Sequence, residues 1–160
     1  MFTVIVACAG AIGATACTDS GNDDPLTIQE YFAKFDEIED RRTRREALLD
    51  EQFDRLSNDE VDAARDRLRQ GLDSIREFRD DVQSLEPPPE VEELHDETVQ
   101  NLTEAIPEFE RRLDETGGAQ TLEELGAGFF VHALGRWHRN CIELEKAAKE
   151  NGITVDFYCD

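Results

Sequence analysis

The stretch that decides the fold runs from residue 57 to residue 85: Ser57-Asn-Asp-Glu60 followed by VDAARDRLRQGLDSIREFRDDVQSL. Its apolar side chains recur every three or four residues, which places them on one face of a helix. They are Val61, Ala64, Leu68, Leu72, Ile75, Phe78, Val82 and Leu85. Ser57 and Glu60 have the spacing of a capping box, so the helix should open there. Pro87-Pro88-Pro89 should stop it, because proline lacks the amide donor and restricts the residue before it.

Similar runs flank this helix. The preceding run begins with a second capping box, Thr27 with Glu30, and its apolar residues continue at helical spacing to Leu56. The following run begins at Val91 and contains Pro107, where we expect a kink because proline removes a helical hydrogen bond. Both runs have the periodicity of a helix with one apolar face.

The fourth run begins at a third capping box, Thr121 with Glu124, and ends at Asn151 and Gly152, where glycine suits a left-handed cap. The breaks between the four runs are short, and short breaks favour antiparallel neighbours. We therefore predict an all-α fold, an up-down-up-down four-helix bundle that occupies residues 27–160. Its apolar stripes should meet in one shared seam.

The composition limits the classes of function. The 160 residues carry 17 basic and 38 acidic side chains, which gives a formal net charge of −21. This length suits a single ordinary domain. A surface so acidic repels phosphate backbones and anionic headgroups, so we expect no nucleic-acid partner and no membrane affinity from the domain itself.

The amino-terminal segment has the pattern of an export signal. Residues 1–16 contain no charged side chain, and the apolar run from Phe2 to Gly13 has about the length of a signal-peptide core. A bilayer-spanning helix takes about 20 apolar residues, so this run is too short. The run ends in Gly13-Ala-Thr-Ala-Cys17, and the chain turns polar from Thr18 to Pro25. This pattern resembles the lipobox of bacterial lipoproteins.

The lipobox resemblance implies a domain organisation and a location. Residues 1–16 would be a signal peptide, Cys17 would be diacylated through its sulfur, and residues 17–26 would form a lipidated tether. Acyl chains would then supply the membrane affinity, on the extracytoplasmic face of the cell membrane. A second lipobox-like stretch ends at Cys8 and would require residues upstream of it. Plain secretion and an uncleaved segment are the alternatives.

The residues after Gly152 are rich in β-branched and aromatic types and should run extended. At about 3.3 Å per residue, this segment can return along the fourth helix and bring Cys159 to Cys141. If Cys8 is removed and Cys17 is acylated, as the resemblance implies, these are the two remaining thiols, and an exported location is oxidising. We predict a disulfide; two free buried thiols are the alternative.

Further motifs extend the resemblance. Cys141-Ile-Glu-Leu144, Gly152-Ile-Thr-Val-Asp156 and Cys159 resemble the carboxyl-terminal signature of helical lipoproteins of high-GC bacteria. The stretch from Leu85 to His95, with its three prolines, resembles the helix start of the same proteins. The resemblance implies an exported helical domain and no particular activity.

Histidine positions give little indication of a metal or haem site. Glu92 and His95 have the Glu-x-x-His spacing of di-iron bundles, but such a site needs a second copy, and no carboxylate lies three residues before His132 or His138. No Cys-x-x-Cys-His occurs, which excludes covalent c-type haem. We expect no metal or cofactor, and we expect His95 to cap its helix or to pack against the seam.

The first half of the fourth run, Leu125 to Trp137, is apolar nearly all round, so other helices should surround it. Gly128, His132, Gly135 and Arg139 share one face of it. Missing side chains beside a histidine and an arginine would leave a cavity for a small anion or an apolar ligand with a polar end. Alternatively, the glycines let a neighbouring helix approach and His132 satisfies a hydrogen bond in the core.

The first run also carries a cluster of charge. Its members are Asp36, Glu37, Glu39, Asp40, Arg41, Arg42, Arg44 and Arg45. Opposite charges four residues apart, such as Glu37 with Arg41 and Asp40 with Arg44, favour a solvated helix face. Arg42 and Arg45 stand where the seam expects apolar groups, and we expect them to meet acidic residues of a neighbouring helix.

No Gly-rich phosphate loop, nucleophile elbow or catalytic triad order is visible in the chain. The sequence therefore predicts a membrane-anchored module that binds a partner or supports the envelope, and not an enzyme. The alternative is a carrier of a small ligand, haem or metal, with its site in the core near His132 or His95. The partner, protein or small molecule, stays open.

Overall fold

A computed structural model of the chain describes residues 25–126, 134–157 and 159. Within these residues the fold is all-helical and contains no strand. The helices are α1 (Ile28–Phe53), α2 (Val61–Gln83), α3 (Glu92–Glu115), α4 (Leu122–Gly126) and α5 (Leu134–Glu150), with a 3₁₀ turn at Thr116–Gly118 between α3 and α4. Helices α4 and α5 both lie in the fourth predicted run. None of the described helices has the length and apolar character needed to cross a bilayer.

Two helices begin at the predicted capping residues. At the start of α1, the Thr27 backbone N–H donates to the Glu30 carboxylate at 2.9 Å, and the Glu30 N–H donates to the Thr27 hydroxyl at 3.3 Å. At the start of α4, the Glu124 N–H donates to the Thr121 hydroxyl at 3.2 Å. These contacts satisfy backbone donors that a helix start leaves without an internal partner.

The predicted cap at Ser57 is wrong. The Ser57 backbone N–H and hydroxyl both donate to the Glu60 carboxylate, at 2.8 and 2.6 Å, but α2 begins only at Val61. The Glu60 N–H donates to the Ser57 carbonyl at 2.9 Å and closes a separate turn. The capping pattern therefore stabilises the connection between α1 and α2, and the first turn of α2 starts four residues later.

Helix α5 ends at a glycine in the left-handed region, as predicted. Gly152 has a φ of +73°, a conformation that side chains disfavour. The Gly152 N–H donates to the Lys149 carbonyl at 3.0 Å, and the Ile153 N–H donates to the Ala148 carbonyl at 2.9 Å. This pair of bonds is the Schellman arrangement, which satisfies two terminal carbonyls. The chain leaves the helix there, and residues 153–157 are non-helical.

The buried apolar side chains form two clusters. The aromatic core comprises Tyr31, Phe32, Phe35, Ile38, Phe78, Val82, Val91, Leu102, Trp137, Cys141, Leu144, Ala148 and Phe157. The second cluster, which we call the aliphatic core although it contains the ring of Phe109, comprises Val61, Ala64, Leu68, Leu72, Ala105, Ile106, Phe109, Leu113 and Leu125. Helices α2 and α3 contribute to both clusters. Helices α1 and α5 contribute buried residues to the aromatic core, and α4 contributes to the aliphatic core.

Contacts between charged side chains show the relative direction of neighbouring helices. Arg41 of α1 bonds to Asp81 of α2 at 2.8 Å, and Arg45 bonds to Glu77. Positions on α2 decrease as those on α1 increase, so the two helices are antiparallel. Helices α2 and α3 are antiparallel as well, because Arg65 bonds to residues just after α3 while Arg76, further along α2, bonds to Glu110.

Arg65 binds the connection between α3 and α4, at the end of the molecule that contains the aliphatic core. Its Nη2 donates to the carbonyls of Thr116, Gly117 and Ala119 at 3.0, 3.3 and 2.9 Å. These carbonyls follow α3, where the helix leaves its last acceptors without internal partners. The guanidinium side chain is 14% exposed. One arginine thus fixes the connection between α3 and α4 against the first turns of α2.

The predicted disulfide is present between Cys141 of α5 and Cys159, with Cα atoms 5.5 Å apart. Residues 153–157 and Cys159, which we call the tail, lie back over α5. Phe157 is 2% exposed, and its ring lies 6.5 Å from that of Phe32 and 5.1 Å from that of Phe35. The disulfide therefore joins the tail to α5, and Phe157 joins it to α1.

Candidate functional site

The predicted ligand-binding face lies largely outside the described residues. Gly128 and His132 belong to residues 127–133, and Cys17 belongs to residues 1–24. Gly135 is part of α5, and Arg139 is exposed on the same helix. In the described part of the chain, a group of buried charged side chains surrounds an arginine of α1.

This group, the arginine cluster, consists of Glu39, Arg42 and Glu46, which helical spacing places on one face of α1. Arg42 Nε donates to one carboxylate oxygen of Glu39 at 2.8 Å, and its Nη2 donates to the other. Arg42 Nη1 donates to Glu46 at 2.5 Å. Glu39 is 2% exposed and the Arg42 side chain 10%. A buried charge requires such paired contacts, because its desolvation is otherwise very costly.

Aromatic rings form the wall beside the arginine cluster. The Arg42 guanidinium carbon lies 5.3 Å from the ring centre of Phe78 on α2 and 5.7 Å from that of Trp137 on α5. The two rings meet edge to face at 5.1 Å. Both distances to Arg42 are in the range of cation–π attraction. One side chain of α1 therefore connects three helices.

The charges of the cluster stabilise one another. Burial acts to lower the pKa of Arg42, but the hydrogen bonds and negative charges of Glu39 and Glu46 outweigh it and raise that pKa above its ordinary value. Burial raises the pKa of Glu46, although Arg42 opposes the shift. The Glu46 side chain is 37% exposed. The guanidinium is thus permanently charged and already has carboxylate partners within its own helix.

A small cavity borders the arginine cluster. Its walls include Glu46, Asn101, Phe109 and Trp137, and its volume is about 20 Å³. A volume of about 10–15 Å³ holds one water molecule. The cavity therefore has the size of a bound water, and Glu46 and Asn101 offer polar partners for it.

A second buried polar contact links α1 to α3. The Tyr31 hydroxyl and His95 Nδ1 are hydrogen-bonded at 3.2 Å. Burial raises the pKa of Tyr31, and burial also lowers the pKa of His95 against the opposing charge of Asp96. Both groups are therefore neutral at pH 7. His95 packs in the core, as one of the two expected roles requires, and only its Nε2 remains for any ligand.

Amide side chains connect α3 to α5. Asn101 Nδ2 donates to Asn140 Oδ1 at 3.0 Å, and Asn140 Nδ2 donates to the Thr98 hydroxyl at 3.4 Å. The Thr98 hydroxyl donates to the Leu94 carbonyl at 2.7 Å. Because buried polar groups need specific partners, this chain of bonds favours one register of α5 on α3.

The expected partners of the α1 arginines are found in part. Arg45 bonds to Glu77 on the neighbouring α2, as predicted, and Arg44 bonds to Asp40 at 3.2 Å. The expectation for Arg42 is wrong, because its carboxylates lie on its own helix three residues before and four residues after it. That spacing is visible in the sequence, but the burial of Glu39 is not.

Among residues 25–126, 134–157 and 159, no group of three or more His, Cys, Asp or Glu side chains is arranged to hold a metal ion. Comparison of the chain with protein-family models, with curated proteins and with solved structures finds no match.

Proposed function

We propose that this protein is an exported, lipid-anchored helical module that acts by binding or by supporting the envelope, without catalysis. The Cys141–Cys159 disulfide is the observation that carries the proposal. Disulfides form and persist in oxidising compartments and are rare in the cytosol. A disulfide-clasped domain after a lipobox-like segment fits the extracytoplasmic face of a membrane.

We further propose that the long helices form an up-down-up-down four-helix bundle. The antiparallel pairs α1 with α2 and α2 with α3 support this topology. The polar chain from Thr98 through Asn140 supports α5 as the fourth rod, packed on α3. A bundle of this kind presents mainly helix faces and short turns to its surroundings.

The start of the body suits a short tether. The Leu26 N–H donates to the Glu86 carbonyl at 3.1 Å and fixes the chain immediately before α1. On the lipobox reading, residues 18–25 connect this point to acylated Cys17, a reach of about 26 Å at 3.3 Å per residue. The net charge of −21 gives the domain no attraction to anionic lipid. The acyl chains are therefore the membrane contact.

The buried polar groups support a role without catalysis. Arg42 is held by Glu39 and Glu46, and His95 is held by Tyr31. Groups that serve in acid–base or nucleophilic chemistry must reach a substrate. These groups are directed at one another inside the body. Tyr31 with His95 joins α1 to α3, and Arg42 contacts rings of α2 and α5, which is how a scaffold keeps its helices in register.

The test of the anchor is the intact mass of protein extracted from the membranes of a bacterial host. We expect a mature chain that begins at Cys17 and carries a diacylglyceryl group. The Cys17→Ala variant should lack the lipid mass and leave the membrane fraction. Cys8→Ala is the matched control and should be processed like the wild type. Recovery of an unmodified peptide from Met1 through Cys17 would contradict the proposal.

A second measurement separates the module from a carrier. We expect protein purified without added metal or haem to show no Soret band and no stoichiometric metal. Either signal would instead favour a carrier, and variants His95→Gln and His132→Gln would then identify which histidine holds the group. Loss of the signal in only one of the two variants would locate the site.

A further inference from the structure

The tail fills the space between α1 and α5. Among the described residues, the closely packed helix pairs are α1 with α2, α2 with α3 and α3 with α5, while α1 and α5 approach each other less. Phe157 occupies this space and packs against Phe32 and Phe35 of α1. Two residues later, Cys159 is bonded to Cys141 of α5. Trp137 of α5 reaches α1 directly, with its ring 6.4 Å from that of Phe35, and the tail fills the part of the space that Trp137 leaves.

Besides Phe157, the tail residues Ile153, Val155 and Cys159 are only partly buried against the aromatic core, and few hydrogen bonds hold the tail. The Phe157 N–H donates to Glu145 at 3.0 Å, and the His138 ring contacts the Cys159 carbonyl oxygen. Residues 153–157 belong to no helix or strand, and the Ile153 N–H is bonded in the cap of α5. Phe157 is the one fully buried side chain among the described residues of the tail. Segments with so few buried contacts open at low cost unless a covalent bond holds them.

Charge repulsion also acts against the closed position of the tail. Asp156 lies near Asp36 of α1, which already has Asp40 and Glu37 beside it. Burial first, and then the charges of Asp40, Asp156 and Glu37, raise the pKa of Asp36. Asp156 is exposed and Asp36 is partly buried, so ionised Asp36 and Asp156 repel each other at the surface. This repulsion would assist release once the covalent bond is broken.

We propose that the tail is a redox-controlled plug: reduction of Cys141–Cys159 releases it and uncovers an aromatic groove between α1 and α5. The groove is bordered by Phe32 and Phe35 on α1 and by Cys141 on α5. In the oxidised protein Phe157 occupies it. This proposal shares the disulfide with the proposed function but does not need the lipid anchor, so the mass of the membrane-extracted chain and the exchange experiment below can fail separately.

The two sulfurs differ in access, which defines the order of the chemistry. Cys141 is 0% exposed, whereas Cys159 is partly exposed. A thiolate of a dithiol reductant attacks Cys159 Sγ, and Cys141 leaves as a thiolate that takes up a proton. The second thiol of the reductant then displaces Cys159. The dithiol is oxidised to a cyclic disulfide, and the protein gains two thiols.

The test is hydrogen exchange measured on the whole protein before and after treatment with dithiothreitol, with thiols trapped by iodoacetamide to count them. Closing a loop of this size favours the ordered state about 100-fold in the chain-entropy model. We therefore expect the protected amides of the tail, those of Phe157 and Cys159, to exchange about 100-fold faster after reduction. Amides of α2 and α3 should change little. The neutral dye Nile red should bind the reduced protein and not the oxidised one.

Two variants separate the contribution of the disulfide to the closed tail from the contribution of non-covalent packing. Cys159→Ser should reproduce the reduced state without reductant, and it changes the partly exposed cysteine. Phe157→Ala should accelerate exchange in the tail while the disulfide is intact. Thr154→Ala, at an exposed position of the same segment, is the matched control and should change nothing.

Two outcomes would overturn the proposal. Two alkylated cysteines with a tail as protected as in the oxidised protein would show that packing, and not the disulfide, holds the plug. Loss of protection throughout α2 and α3 on reduction would show that the bond supports the entire fold.

Discussion

The aromatic core and the aliphatic core share α2 and α3 but are held together differently. In the aromatic core, rings from the first helix, from α2, from the last helix and from the tail meet, together with one disulfide and one buried arginine. In the aliphatic core, α2 and α3 pack on each other and on α4, and Arg65 ties down the connecting carbonyls.

The difference shows which parts of the chain form each half of the molecule. The aromatic half is the aromatic core with the residues bonded to it, and the aliphatic half is the aliphatic core with the connection held by Arg65. The aromatic half joins residues that are far apart in sequence, such as Tyr31 with His95 and Phe35 with Phe157. Its contacts can form only when both ends of the chain are in place. The aliphatic half relies on an antiparallel helix pair and the turn after it. We expect the long-range contacts of the aromatic half to determine which fold the chain adopts. The aliphatic half should contribute mainly the burial of apolar side chains between neighbouring helices.

The largest effect is expected from removing one ring from each half. Phe35→Ala and Phe109→Ala each truncate a buried ring, at 0% and 2% exposure, and each should lower the free energy of unfolding by about 3–5 kcal/mol. Because α2 and α3 run through both halves, both variants should unfold in a single transition. Denaturant titration followed by circular dichroism measures this. Two separate transitions in either variant would show that the halves are independent.

The next effect concerns the arginine cluster in the aromatic half. Glu39→Gln removes the charge of the buried partner of Arg42 and should destabilise the protein by about 3 kcal/mol, because the buried guanidinium then keeps only the partly exposed Glu46 as a counter-charge. The matched variant Glu46→Gln alters a partner that is over a third exposed and should cost less than about 1 kcal/mol. Equal losses for the two variants, measured by urea unfolding, would contradict the assignment of Glu39 as the structural partner.

A smaller effect is expected in the aliphatic half. Arg65→Met keeps the stem of the side chain and removes its bonds to the carbonyls after α3. We expect a loss of about 2 kcal/mol, typical of hydrogen bonds from a charged donor. Arg69→Met, where the side chain is 59% exposed and pairs only locally with Asp66, is the control and should change stability by less than about 0.5 kcal/mol. A loss of stability in Arg65→Met as small as that in Arg69→Met would mean that the connection after α3 is stable without the bonds from Arg65.

The smallest effect is a pH dependence confined to the aromatic half. The pKa of His95 is lower in the folded protein than in the unfolded chain, so the unfolded chain binds more protons as the pH falls below about 6.5. The stability that neutral His95 provides is complete above that pH and declines below it. His95→Gln should flatten the difference in unfolding free energy between pH 7 and pH 5. An unchanged pH slope would show that His95 does not titrate differently on folding.

Much of the fold follows from local sequence signals. The periodic runs predict α1, α2 and α3 to within a few residues, and Thr27 and Gly152 mark the start of α1 and the end of α5. The disulfide follows from chain reach, because a non-helical segment after Gly152 can return along α5. These features depend on residues near one another in sequence, where propensity and spacing act directly.

The polar contacts of the candidate site were harder to predict. Periodicity identified Arg42 as out of place on the seam, but which carboxylate pairs with it depends on how deeply Glu39 is buried. The Tyr31–His95 contact joins residues 64 positions apart, and it requires the register between α1 and α3. Helical spacing gives the face that a side chain occupies, and the rotation and height of the neighbouring helix decide its partner.

The bond from the Leu26 N–H to the Glu86 carbonyl has a mechanical consequence. It places the entry of the chain at the same end of the body as the cross-linked tail. If the chain is anchored as proposed, a pulling force from the bilayer would reach the domain through the aromatic half, which holds the disulfide. The opposite end, where the Leu122 N–H meets the Asn58 carbonyl at 3.2 Å, would bear no load and would face away from the lipid surface.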